Sequence, residues 1–168
     1  MTLNEFNQLD TLAAANALRQ CCVSEAWVVR MLGARPFEYE HELYAIAEAC
    51  WQGLDRTDYL QAFEGHPKIG DVSSLRAKYA NTKALAAGEQ AAVSDADEQT
   101  LLALAEGNAA YEARFGYIFI VCATGKSAEE MLGLLNARLN NAPDNELAIA
   151  AAEQNKITQI RLQKMLST

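Results

Sequence analysis

The segment Leu43-Tyr44-Ala45-Ile46-Ala47-Glu48-Ala49-Cys50-Trp51-Gln52-Gly53-Leu54 decides the class of fold. Its apolar side chains recur at alternating steps of three residues and one residue, which places them in a single stripe along an α-helix. Such a stripe predicts a helix that packs one face into a core. Its members are Leu43, Ile46, Ala47, Cys50, Trp51 and Leu54. We interpret Trp51 and the second tryptophan, Trp27, as core residues.

Helical patterns precede and follow this segment. Thr2-Leu3-Asn4-Glu5 fits a capping box, which predicts a helix that begins there and continues as far as Leu18. A second helix is predicted over residues 24–32, and Arg35-Pro36 is interpreted as part of its stop signal. A short helix is predicted over residues 58–64.

The middle of the chain has weaker patterns. Residues 67–85 have a weak apolar pattern and many polar side chains, which predicts an irregular polar segment with at most short helical turns. Residues 84–93 predict the start of a helix that contains Glu89-Gln90. Ser94-Asp95 then predicts an N-terminal cap, since acidic residues suit the positive end of a helix dipole. The helix that follows is expected to end near Phe115-Gly116.

Residues 117–123 are the most strand-like part of the chain, because they are rich in β-branched and aromatic residues. No second segment resembles them, so we interpret them as an extended buried segment or as a short helix start. Ser127-Ala128-Glu129-Glu130 fits another capping box, and a last helix is predicted after a break at 140–144. The sequence therefore predicts an all-α fold of about eight helices in a single domain over residues 1–168.

Composition narrows the class of protein. Hydrophobic residues make up 51% of the 168 residues and charged residues 21%, which is typical of a globular domain. No apolar run approaches the roughly 20 residues of a membrane-spanning helix, so no membrane association is expected. The net charge of −8 argues against a nucleic-acid partner, which would need clustered positive charge. The first residues lack the pattern of a secretory signal, which favours the cytoplasm.

The four cysteines are Cys21, Cys22, Cys50 and Cys122. They contain no CxxC pair, and the two histidines lack zinc-ligand spacing, so no metal site is predicted. The vicinal pair Cys21-Cys22 permits a redox-active interpretation. We favour a structural role, because buried cysteines commonly act as small apolar side chains.

His66 lies in the stretch Gly65-His66-Pro67-Lys68, where the backbone cannot continue a helix. Its imidazole has a pKa near neutrality and can both accept and donate a proton. A histidine presented by a loop in a helical protein is a candidate general acid/base, and the alternative is a turn histidine at a helix end. His41, the other histidine, lies among acidic residues on a helix face and is interpreted as a surface residue.

Several segments together resemble one family, the 2-oxo-4-hydroxy-4-carboxy-5-ureidoimidazoline (OHCU) decarboxylases of uric acid breakdown. They occur in the order of the family and span nearly the whole chain. They are Cys21-Cys22-Val23-Ser24 with Trp27-Val28, Arg35-Pro36-Phe37, Gly65-His66-Pro67-Lys68-Ile69-Gly70, Glu89-Gln90, Asn108-Ala109-Ala110-Tyr111 with Arg114-Phe115-Gly116-Tyr117, Ala137-Arg138-Leu139-Asn140-Asn141, and residues 157–162. One position departs from the pattern, because Ala86 stands where the family often has the serine of Ser-x-x-Glu-Gln.

The resemblance implies a cofactor-free, all-helical enzyme, usually a homodimer, that decarboxylates OHCU to (S)-allantoin. It implies that His66 is the acid/base and that Pro67 contacts the substrate. It also implies that Glu89 and Gln90 hold polar groups of the substrate. Backbone contacts are implied for Tyr117, Ile118, Phe119, Ile120 and Val121. A late arginine is implied to bind the carboxylate, with Arg161 as the first candidate and Arg138 as the reserve.

Two hypotheses from other classes remain beside the decarboxylase. A non-catalytic helical dimer could bind intermediates of urate breakdown or partner enzymes, and it would show ligand affinity without release of carbon dioxide. A redox protein acting through Cys21-Cys22 would show reactive thiols in the folded state. Arg161 also has a structural alternative, since it lies among apolar residues and its stem could cover the core.

Overall fold

The computed structural model of the chain describes residues 1–68, 71–87 and 95–167, with the side chains of 80–87 and 95–97 left aside. These residues form nine α-helices, and within the described ranges no residue lies in a β-strand. The helices are α1 (Leu3–Gln8), α2 (Thr11–Arg19), α3 (Glu25–Ala34), α4 (Glu40–Trp51), α5 (Arg56–Glu64), α6 (Val72–Ala87), α7 (Asp95–Phe115), α8 (Ala128–Leu139) and α9 (Pro143–Leu166). The predicted all-α fold is confirmed, with nine helices in the described ranges where about eight were expected. None of these described helices combines the length and apolarity needed to cross a membrane.

The chain divides into two compact units. The first consists of Met1–His66 and Leu147–Thr168, and the second of Pro67–Glu146. One boundary therefore follows His66 directly, and the other falls within α9.

The core of the first unit is built around two tryptophans. Trp27 of α3 is fully buried, and its indole Nε1 donates a hydrogen bond to the Ala47 carbonyl at 3.0 Å. Trp51 at the end of α4 is also buried, and its Nε1 donates to the Ala151 carbonyl of α9 at 2.8 Å. Each indole thus buries a large apolar surface while its one polar group keeps a partner. The interpretation of both tryptophans as core residues is confirmed.

The first predicted helix is in fact two helices. The capping box at Thr2 is present, but α1 ends at Gln8, and Asp10 caps α2 by accepting a hydrogen bond from the Ala13 amide at 2.7 Å. The Arg35 guanidinium donates to the carbonyls of Phe6 and Leu9 at 3.0 and 2.9 Å. These carbonyls lie at the end of α1. The prediction of one continuous helix is therefore wrong, because the cap at Asp10 starts a new helix although the apolar pattern continues past it.

In the second unit α7 packs against α8. Gly107 of α7 allows a close approach, since a Cβ added there would lie 2.5 Å from Leu135 Cδ2 of α8. The helix α8 begins as predicted, with the Ser127 hydroxyl accepting a hydrogen bond from the Glu130 amide at 3.1 Å. Residues 117–123 between the two helices are not helical, and Tyr117, Ile120 and Cys122 are buried. Of the two interpretations, the short helix start is therefore wrong, and a non-helical segment with buried positions is confirmed.

The helix α6 was not predicted. It spans 16 residues from Val72 to Ala87, where the sequence indicated an irregular polar segment. Asp71 precedes it and accepts a hydrogen bond from the Ser74 amide at 2.6 Å, as an N-cap does. The Arg76 guanidinium binds Glu98 of α7 through two contacts of 2.7 and 2.8 Å. Most side chains described at the start of α6 are exposed, so the helix lacks the wide apolar stripe on which the sequence argument depended.

Candidate active site

The end of α5 delivers His66 into a tight turn. The Gly65 amide donates to the Ala62 carbonyl and the His66 amide to the Phe63 carbonyl, both at 3.2 Å. A Cβ added at Gly65 would lie 2.3 Å from Val23 Cγ2. Gly65 therefore allows the chain to pass close to Val23, where any larger residue would clash. Pro67 follows and offers no amide hydrogen, so the helix cannot resume.

The imidazole of His66 has a partner on α9. His66 Nε2 lies 2.5 Å from Gln154 Oε1. The other end of the Gln154 amide donates from Nε2 to Thr158 Oγ1 at 3.0 Å. Gln154 and Thr158 are both buried, at 1% and 3% exposure, whereas His66 is half-buried. A buried amide thus holds one ring nitrogen of a histidine that solvent still reaches.

Arg161 lies one turn beyond Thr158 on α9. It is half-buried, and its Nη1 donates a long hydrogen bond of 3.4 Å to the Cys21 carbonyl. Its positive charge acts on His66 and on the thiols of Cys21 and Cys22. His66 and Arg161 are far apart in the sequence, but they belong to one cluster in the first unit.

The electrostatics of this cluster favour a neutral imidazole. Burial lowers the pKa of His66 below its ordinary value of 6.5, the hydrogen bond to Gln154 raises it, and the nearby charge of Arg161 lowers it, with a net decrease. A histidine with a lowered pKa is unprotonated at neutral pH, so it is ready to accept a proton.

We expect this lowered pKa to appear directly in a titration. In histidine-labelled protein, His66 should titrate below 6.5, and Arg161→Gln should raise its pKa because a positive neighbour is removed. A lowered pKa also destabilises the fold in acid: the free energy of unfolding should begin to fall as the pH drops below 6.5, where the unfolded chain takes up the proton first. A His66 pKa at or above 6.5, unchanged in Arg161→Gln, would contradict the described cluster.

The vicinal cysteines lie beside the same cluster but are buried. Cys21 is 2% exposed and Cys22 1%, and neither forms a disulfide. Burial raises the pKa of the Cys21 thiol to about 11, and burial also raises the pKa of Cys22. Because the thiolate is the reactive form, this environment favours the structural interpretation.

Thiol labelling should separate these cysteines from the half-buried Cys50. In the native protein we expect a disulfide reagent at pH 8 to modify Cys50 first and to leave Cys21 and Cys22 unreacted until denaturant is added. Mass spectrometry of the digested protein would assign each site. Rapid native labelling of Cys21 or Cys22 would instead revive the redox hypothesis.

A second cluster of predicted residues lies in the second unit, around Arg138 of α8. The guanidinium donates to Glu146 at 2.6 and 3.1 Å from Nε, and to the Ile120 carbonyl at 2.7 Å from Nη1. It lies 4.4 Å from the ring centroid of Phe119. Arg138 and Glu146 are buried, at 7% and 0% exposure. Arg138 thus contacts the centre of the non-helical segment, at Phe119 and Ile120, and holds it in place. The predicted backbone contacts of this segment are those of Tyr117, Ile118, Phe119, Ile120 and Val121.

The remaining predicted residues have simpler positions. Pro67 is exposed, as is Lys68, which forms an ion pair with Glu112 at 3.0 Å. Glu89 and Gln90 lie outside the described residues. His41 is exposed and stacks on Tyr39, so its interpretation as a surface residue is confirmed. In the described part of the chain, no three histidine, cysteine or acidic side chains are grouped as a metal site would require.

Sequence reasoning missed Gln154 and Thr158. A signal was present, since the two polar residues lie four apart on a stripe of α9 whose other buried members include Ala150, Ala151 and Leu162. Polar side chains inside such a stripe need partners. The partner of Gln154 lies 88 residues away in the chain, which no local pattern reveals.

The comparisons with known proteins agree with the resemblance. Residues 7–163 match the family model described as OHCU decarboxylase. The uric acid degradation bifunctional protein TTL of Arabidopsis thaliana is 35% identical over 147 residues, which cover 88% of this chain and 45% of the relative. The 2-oxo-4-hydroxy-4-carboxy-5-ureidoimidazoline decarboxylase of Amia calva is 31% identical over 153 residues, covering 90% of this chain and 84% of the relative.

Solved structures show the same fold. A crystal structure of OHCU decarboxylase in the presence of (S)-allantoin has 36% identity and a TM-score of 0.70, and the match covers 89% of this chain and 96% of that one. A crystal structure of (S)-allantoin synthase has a TM-score of 0.71 at 20% identity, and the match covers 100% of this chain and 55% of that one. At that identity the second match supports the fold alone.

Fold and site together define an all-α protein with a loop histidine held by a buried amide. The family model and the relatives identify this class, and the chain belongs to the OHCU decarboxylase family. The chain spans 45% of the length of the Arabidopsis thaliana relative and 33% of the uric acid degradation bifunctional protein PucL of Bacillus subtilis.

Proposed function

We propose that the protein removes the ring carboxylate of OHCU as carbon dioxide and yields (S)-allantoin, with His66 as the acid/base. The observation that carries the proposal is the cluster of His66, Gln154 and Arg161 in a chain of this family. The imidazole is half-buried, kept neutral by burial and close to a positive charge. That combination suits a proton acceptor beside an anionic substrate.

The substrate supplies its own electron sink. The carbon that loses carbon dioxide bears a hydroxyl group and adjoins the ring carbon of a C=N bond. The electron pair left by the broken carbon–carbon bond forms a double bond to that neighbour while the C=N nitrogen takes up a proton. The hydroxyl then becomes a carbonyl as the neighbouring carbon is protonated, which yields allantoin. Because the pair is accepted within the ring, we propose that no cofactor is required.

The protein has two tasks in this reaction. It must hold the carboxylate so that the breaking bond stands perpendicular to the ring, and it must deliver a proton to one face of the neighbouring carbon. Positioning of this kind contributes about 7–11 kcal/mol in favourable cases, and a placed acid/base adds about 10²–10⁴-fold. His66 is assigned the proton transfers in this proposal.

Arg161 is the favoured carboxylate ligand. It is half-buried and has one long hydrogen bond within the described residues, so its planar fork can turn to an anion. Arg138 is almost fully buried and already binds Glu146 and the Ile120 carbonyl. These contacts favour Arg161 over Arg138.

Other parts of the proposal rest on the family resemblance. It assigns substrate contacts to Pro67, Glu89 and Gln90, and to the backbone of residues 117–121. It also implies a homodimer and one catalytic domain over residues 1–168, in keeping with a family model that spans residues 7–163. Four cysteines without a disulfide suit a reducing compartment such as the cytoplasm.

A coupled assay tests the proposed reaction. Urate is converted in the cuvette by urate oxidase and hydroxyisourate hydrolase, and circular dichroism follows the chirality of the allantoin formed. We expect the (S) signal to appear much faster than in the matched reaction without the protein, where OHCU decays unaided.

Racemic allantoin at the uncatalysed rate would contradict the proposal. If calorimetry then showed that the intermediates bind without release of carbon dioxide, the non-catalytic binding protein would take its place. Light scattering during gel filtration would test the proposed homodimer separately.

A further inference from the structure

We propose that Gln154 is a positioning residue that fixes the Nε2–H tautomer of His66, so that Nδ1 is the nitrogen that exchanges protons with the substrate. The assignment of the tautomer rests on geometry within the first unit alone. Its catalytic consequence rests on the proposed function.

The two ends of the Gln154 amide face different partners on the first unit. Its Nε2 donates to Thr158 Oγ1 at 3.0 Å, and the Thr158 hydroxyl oxygen has lone pairs to accept that hydrogen. With the amide nitrogen bound to Thr158, the amide oxygen faces His66.

The contact with the amide oxygen fixes the position of the hydrogen on the imidazole of His66. An amide oxygen only accepts, so the ring nitrogen 2.5 Å away from it must carry the hydrogen. His66 Nε2 is consequently a donor in both the neutral and the protonated ring. In the neutral ring the lone pair then lies on Nδ1, which has no hydrogen-bond partner among the described residues.

Proton uptake by His66 changes the strength of its contact with Gln154. When Nδ1 takes a proton, the ring becomes an imidazolium, and its Nε2–H bond to the Gln154 oxygen strengthens as the charge develops. Arg161, the charged group that acts on His66, opposes this change. Gln154 thus stabilises the protonated state of the base without touching the substrate, and its removal should affect turnover more than substrate binding.

Nitrogen NMR tests the tautomer without substrate. The protein contains two histidines, so ¹⁵N-histidine labelling gives two ring systems, and a His66→Ala sample assigns them. Above the titration range we expect His66 to show a single Nε2–H form with a slowly exchanging, strongly downfield Nε2 proton. The exposed His41 provides the reference for an unconstrained ring. A predominant Nδ1–H form of His66 would overturn the proposal.

Variants test the role of the amide. In Gln154→Leu we expect the tautomer mixture of His66 to move toward that of His41 and kcat to fall about tenfold or more, with KM within about twofold. Gln154→Glu should keep the Nε2–H form, since a carboxylate also accepts, and should move the acidic limb of the kcat/KM profile to higher pH. Unchanged tautomer and kcat in Gln154→Leu would refute the role of Gln154.

Gln159→Leu is the matched control. Gln159 lies on the same helix and donates to the Tyr44 carbonyl at 3.0 Å, so its loss should leave the His66 spectrum and kcat unchanged. If Gln154→Leu does not fold, the wild-type spectrum and Gln154→Glu still decide the question. An Nε2–H tautomer in a protein that does not decarboxylate OHCU would refute the proposed function and leave the assigned tautomer intact.

Discussion

His66→Ala is expected to lower kcat/KM for (S)-allantoin formation by about 10²–10⁴-fold, since the imidazole is the proposed carrier of the proton. Loss of the ring leaves the Gln154 oxygen without its partner, which costs about 1–3 kcal/mol of the free energy of unfolding when the group stays dry. Because His66 is half-buried, water can enter the space left by the ring, and the loss of free energy of unfolding should lie near the lower end of this range. The coupled assay measures the first quantity, and urea denaturation followed by circular dichroism measures the second.

His41→Ala is the matched control, because His41 is exposed and contacts Tyr39 rather than the site. It should retain wild-type turnover and stability. A folded His66→Ala protein with near-wild-type turnover would remove His66 from the mechanism. The family membership and the fold would stand in that case, and the proton carrier would have to be sought among other residues.

Arg138→Met is expected to lower the free energy of unfolding by about 3–5 kcal/mol, the usual cost of removing one partner from a buried ion pair. Glu146 has 0% exposure. Its carboxylate would lose both contacts with Arg138 and would remain shielded from water. The Ile120 carbonyl would lose its donor as well. Urea denaturation of the variant beside the wild type measures the difference.

Arg114→Met serves as the control for this change. Arg114 is exposed and donates to the Asn141 carbonyl at 3.0 Å, so its loss should cost less than about 1 kcal/mol. The double variant Arg138→Met/Glu146→Met should be more stable than Arg138→Met alone, because no charge is left buried. Equal stability of Arg138→Met and wild type would show that the pair contributes nothing to the fold.

The sequence predicted those elements whose signals are local. The stripe that includes Leu43 and Trp51 gave α4, and the cap at Ser127 gave the start of α8. The break between α1 and α2 was missed although Asp10 is an ordinary N-cap residue, because the apolar period continues through it. The helix α6 was missed for the opposite reason. Its cap at Asp71 is a local signal, but most side chains described at its start are exposed, and the helix lacks the wide apolar stripe that would mark it.

The candidate site was only partly predictable. His66 stood out because glycine and proline flank it, and Arg161 because of the resemblance. The contact with Gln154 joins residues far apart in the chain and depends on the packing of α9 in the first unit. Arg138 was the reserve candidate for the carboxylate, and its buried contacts with Glu146 and the Ile120 carbonyl, which no local pattern indicates, are the reason that Arg161 is favoured.

The location of both tryptophans in the first unit has a spectroscopic consequence. Trp27 and Trp51 are the only tryptophans in the sequence, and both lie in the core of the first unit. Intrinsic fluorescence therefore reports the unfolding of that unit, while far-ultraviolet circular dichroism averages over the helices of both. Coincident transitions by the two probes would mean that the units unfold as one cooperative block. In Arg138→Met, a dichroism transition that precedes the fluorescence transition would reveal that the second unit melts by itself.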